Sequence, residues 1–60
     1  MIKRNQIYRS KKDKNHYIII TGKGKHDKWK AKVLTYKPGV YNGTHTLADR
    51  TIYKMFELVE

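Results

Sequence analysis

Short blocks of apolar and β-branched residues, separated by wholly polar stretches, run through the first two thirds of this chain. Gln6 to Ser10 reads as a first strand, and Lys11-Lys12-Asp13-Lys14-Asn15 after it has no apolar side chain to bury, so it predicts a solvated loop. His16 to Thr21 carries β-branched and aromatic residues on both faces, as a central strand does. Gly22 to Asp27 supplies two glycines that tolerate positive φ and nothing apolar, which predicts an exposed hairpin connection pairing strands two and three. In Lys28 to Tyr36, Lys28, Lys30 and Lys32 fall on one face and Trp29, Ala31 and Val33 on the other. Lys37-Pro38-Gly39 has the residues of a turn, and Val40 to Thr46 predicts a fourth, weaker strand with a bulge at Gly43.

The C-terminal third supports two patterns. Ala48, Ile52, Met55, Phe56 and Val59 are spaced as one helical face after a loose capping box at Thr46 to Asp49, yet Phe56-Glu57-Leu58-Val59 alternates as a strand. The favoured reading is a short helical turn near Leu47 to Thr51 and a last strand from about Lys54 to Val59. The alternative is a three-stranded sheet with a C-terminal helix from Leu47 to Val59, similar to the arm-binding domains of tyrosine recombinases. The expected core is Ile7, Ile18, Ile20, Val33, Leu47, Phe56 and Leu58, with Trp29 facing it.

Gln-Ile-Tyr-Arg at the start, Tyr-Ile-Ile-Ile after a basic loop, an aromatic-led third strand and the Phe-Glu-Leu-Val ending together resemble the small SH3-like barrel proteins of phages and prophages. The resemblance covers most of the chain and implies a mostly β, five-stranded barrel whose last strand returns beside the first. It also implies an accessory binding protein, either a nucleic-acid binder or an effector that seizes a host protein.

Sixty residues form one domain, 1–60, without repeat or linker, and a chain this short buries only about 60% of its unfolded surface. A homodimer would add buried area. There is no cysteine, no signal-peptide pattern and no run near the ~18 apolar residues of a membrane span, so a soluble cytoplasmic protein is expected, in a bacterial host cell if it is phage-encoded as the resemblance implies. Fourteen Lys and Arg against five Asp and Glu give a net charge of +9. Residues 1 to 37 hold twelve of the bases and only two of the acids, so the basic surface belongs to the strand-rich part. Such a field favours polyanions, nucleic acid first among them, or an acidic patch on a host protein.

Alternate strand residues lie about 6.6–6.8 Å apart, close to the phosphate spacing of a nucleic-acid strand. Lys28, Lys30 and Lys32, joined by Lys23 and Lys25 from the preceding loop, are therefore candidate phosphate contacts, flanked by Lys11, Lys12 and Lys14. Tyr8, Tyr36 and Tyr41 are candidates for base stacking or for a protein interface. Gly22-x-Gly24-Lys25 lacks the Walker spacing, and His16, His26 and His45 have no zinc-ligand spacing. With no paired carboxylates and no nucleophile beside a base, a non-catalytic protein without metal or cofactor is expected.

Overall fold

The computed structural model describes residues 1–35 and 43–59. Five strands make one antiparallel sheet: β1 (Ile7–Ser10), β2 (His16–Lys23), β3 (Trp29–Thr35), β4 (Thr44–Leu47) and β5 (Phe56–Leu58). Their order is β4-β3-β2-β1-β5, so consecutive strands meander and the last one returns to the free edge of the first. A seven-residue helix, α1 (Asp49–Met55), joins β4 to β5. The expected turn at Lys37-Pro38-Gly39, Tyr36, Tyr41 and the 40–42 part of the expected fourth strand lie outside the described residues.

One face of the sheet holds the core. Tyr8 pairs with Ile18 and Ile18 with Val33, while Ile20 pairs with Ala31, and directly opposed residues share a face. These five are buried together with Ile2 and Ile52, and Trp29, Leu47 and Phe56 pack around them. Ile52 is the buried residue of α1, so the helix is held to the sheet through one fully enclosed side chain. Ile2 arrives through a turn at Lys3–Gln6: Asn5 takes a φ of 74°, its amide donates to the Ile20 carbonyl at 2.7 Å, and the Ile20 amide donates to the Gln6 carbonyl at 2.9 Å.

Several expectations need correction. Leu58 is 55% exposed, because it lies on the core side of β5 at an outer edge where only Tyr8 stands opposite. Ile7, Leu47 and Phe56 are only partly buried. Tyr8, expected to be exposed, is 4% exposed and donates its hydroxyl to Gln6 Oε1 at 2.9 Å, which gives the buried ring a polar partner. Burial, with Tyr53 and Asp49 adding to it, raises the Tyr8 phenol above its ordinary value.

At the C-terminus the helix is longer and the strand shorter than expected. Thr46 makes no cap because it belongs to β4, paired with Lys30, and α1 begins at Asp49 with no side-chain cap. Lys11 closes the other end, its amide donating to the Met55 carbonyl at 3.0 Å and its ammonium to the Tyr53 carbonyl at 3.1 Å. Both groups satisfy carbonyls that a helix end leaves open, and the ammonium complements the helix dipole. The alternative with a helix through Val59 is excluded by the pairing of Ser10 with Phe56, Arg9 with Glu57 and Tyr8 with Leu58.

Candidate functional site

The opposite, outer face of the sheet is built from three cross-strand rows. Gly22, Lys30 and Thr46 form the first, and Ile7, Ile19, Lys32 and Thr44 the second. Glu57, Arg9, Tyr17 and Leu34 form the third. The strand alternation that buries Ala31 and Val33 therefore projects Lys30 and Lys32 outward, as the spacing predicts. Lys28 precedes β3 in extended backbone (φ −89°, ψ 159°), which keeps it in step with Lys30. Among the described residues Lys25, Lys28, Lys30 and Lys32 enter no ion pair; the ion pair present is Arg9 with Glu57.

Lys23 does not join this ladder. The β2–β3 register slips between Ile20 and Gly22, leaving Thr21 as the extra residue of a bulge. One added residue reverses the side of everything beyond it, so Lys23 stands opposite Trp29 and not beside Lys30. Its ammonium sits 4.4 Å from the Trp29 ring centroid, a cation–π contact, and 3.4 Å from the Asp27 carbonyl. Trp29 donates its indole N–H to Asp49 Oδ1 at 2.7 Å, tying β3 to the start of α1. The bulge expected at Gly43 is absent, because Val33 donates to the Gly43 carbonyl at 2.7 Å in the same register as the rest of β3–β4.

The hairpin connection is tight, and positive φ falls on Gly22 (159°) as the glycines predict and also on two residues that are not glycine. The Lys28 amide donates to the Lys25 carbonyl at 3.1 Å around His26 (φ 56°, ψ 38°) and Asp27 (φ 59°). Two consecutive left-handed residues are the signature of a type I′ turn, whose twist matches the flanking strands. Gly24 serves instead for close approach: a Cβ there would meet the Lys30 Cγ at 3.2 Å and the Thr46 Cγ2 at 3.6 Å. Beside it opens a hollow of about 390 Å³ lined by Lys23, Gly24, Lys25, Lys30 and Thr46. Lysine side chains beside a threonine and a bare backbone are the residue types of an anion site.

Lys11, Lys12 and Lys14 occupy the opposite end of the sheet, in the β1–β2 loop, and do not adjoin the hollow. Lys11 is engaged with α1, and the fields of Lys14 and Lys11 reach Glu57. Arg9 donates to Glu57 Oε1 through Nε at 3.1 Å and Nη2 at 2.6 Å. Those bonds hold the Glu57 carboxyl below the usual carboxylate range and, with a contribution from Tyr17, raise the Arg9 guanidinium further.

Of the aromatic candidates, Tyr8 is in the core, and Tyr36 and Tyr41 lie outside the described residues. Among the described residues the aromatic on the lysine face is Tyr17, not among the candidates, with Ile19, Leu34 and Ile7 around it. Its signal was in the sequence: Leu34 continues the even-numbered series of Lys28, Lys30 and Lys32, and β2 is apolar on both faces.

Fold and site together define a small, basic, antiparallel β domain with an open lysine face. Comparison with models of known families, with curated proteins and with solved structures finds no match to this chain. No helix of the described residues is long and apolar enough to cross a membrane.

Proposed function

We propose that this chain is a non-catalytic nucleic-acid-binding protein of the small phage type, working in the bacterial cytoplasm and contacting phosphates through Lys25, Lys28, Lys30 and Lys32. The observation that carries the reading is the register, which sets the exposed Lys30 and Lys32 on one face, with Lys30 also lining the hollow beside Gly24. Lysines at this spacing follow a nucleic-acid backbone without reading its sequence. We further propose that the sheet curls into an SH3-like barrel. The strand order, with a short helix between the fourth and fifth strands, supports it.

A second reading, an effector docking on an acidic surface of a host protein, draws support from Tyr53, Met55, Leu58 and Val59. All four are large apolar residues left exposed around the last strand. Affinity capture from a host lysate with and without nuclease separates the two. Recovery of nucleic acid, with co-purifying proteins lost on nuclease treatment, supports the first reading. One host protein retained after nuclease, with no shift of arbitrary DNA or RNA fragments, overturns it.

A further inference from the structure

The core cluster draws on one face of the sheet only, yet the opposite face is also apolar at its centre. Tyr17 lies directly across from Leu34, and in the neighbouring row Ile19 lies between Ile7 and Lys32. Ile7, Ile19, Leu34 and Tyr17 are partly exposed and take no part in the buried cluster, and Tyr17 is engaged with the neighbouring Arg9. Along the strands they are bracketed by charge. Lys28, Lys30 and Lys32 approach from the turn end, and the loop carrying Lys12 and Lys14 stands at the other.

We infer that this face binds single-stranded nucleic acid, with phosphates held by the lysines and unpaired bases laid on the Tyr17–Leu34 and Ile7–Ile19 rows; the inference rests on the phosphate-contact reading above. A duplex keeps its base faces inside the stack and presents phosphates and groove edges, so it would leave this apolar patch uncontacted. An unpaired strand supplies charge and flat apolar surface together, and base contacts of this kind tolerate any sequence. The length also fits. The eight residues of β2 span about 26 Å at about 3.3 Å each, room for about four extended nucleotides.

The test is fluorescence anisotropy with three probes on the unmodified chain: an oligothymidylate of about eight residues, an abasic strand of the same length and charge, and a short hairpin duplex. The intact strand is expected to bind about tenfold more tightly than the abasic one, and the duplex no more tightly than the abasic one. Ile19→Thr and Leu34→Thr, which keep strand-compatible residues on the outer face, should reduce the intact strand to the abasic level and leave abasic binding unchanged. Equal affinity for intact and abasic strands overturns the base platform while leaving phosphate contact standing, and so does a preference for duplex. No binding to any of the three overturns both readings. Should either variant fail to fold, the probe comparison on the unmodified chain still decides.

Discussion

Replacing Lys30 and Lys32 together with glutamine tests the outer face by position and not by total charge. Both side chains are exposed, project from the same side of β3 and enter no ion pair among the described residues, so the fold should not depend on them. On a single strand each phosphate contact contributes about 0.7 to the slope of log K against log salt concentration. Losing two contacts should lower the slope by about 1.4. Scaled from about 1 M salt, where the electrostatic contribution vanishes, that slope corresponds to about fourteenfold weaker binding near 0.15 M and about sixty-fivefold near 0.05 M. The matched control is Arg50→Gln with Lys54→Gln, two exposed bases on α1 that remove the same charge from another part of the surface. Anisotropy titrations over a salt series provide the slopes, with circular dichroism confirming the fold. An equal fall for the Lys30/Lys32 and Arg50/Lys54 pairs would mean that only net charge matters. An unchanged slope in the Lys30/Lys32 variant would remove the lysine face from the binding site altogether.

Ile52→Ala should cost about 2–5 kcal/mol in a urea melt, because Ile52 is fully enclosed and is the buried residue of α1. A loss below about 1 kcal/mol would mean that the helix does not depend on this anchor. Asp27→Gly relieves a non-glycine residue at φ 59° and should stabilise the hairpin by up to about 1 kcal/mol; a lower melting midpoint would refute the turn geometry. Glu57 titrates below its ordinary range because of Arg9, so its contribution is present above the unfolded glutamate value and fades as pH falls through the folded one. Glu57→Gln should therefore flatten the acid limb of a stability–pH curve, and an unchanged limb would deny the pairing a role. Tyr8 has the opposite sign: its raised phenol is neutral in the fold, so stability should decline as pH rises past about 10. Tyr8→Phe should remove that decline, and its persistence would trace it to another group.

Strands β1 to β3 were legible in the sequence because a two-residue alternation needs no knowledge of distant residues: the Lys30 and Lys32 side of β3 follows from Ala31 and Val33 between them. The basic character of that region was equally legible, being a matter of counting. The tertiary structure alone decided where the alternation breaks. Gly22 hints at a break in the strand but not at its register, and the bulge at Thr21 carries Lys23 from the lysine face to Trp29. It also decided burial at the margins. Tyr8 has a polar tip that argues for exposure, but Ile18 lies beside it, and Gln6 Oε1 accepts a hydrogen bond from its hydroxyl. Ile2 is enclosed only because Asn5 turns the chain and bonds it to the Ile20 carbonyl. The C-terminal ambiguity was resolved in the same way. Residues 56 to 59 satisfy helical and strand periods alike, and the choice fell to two remote partners: the open edge of β1, which takes Phe56–Leu58, and Lys11, which closes the helix just before it. Local pattern fixes which side chains alternate, whereas long-range hydrogen bonding decides where one pattern stops and which face it leaves to solvent.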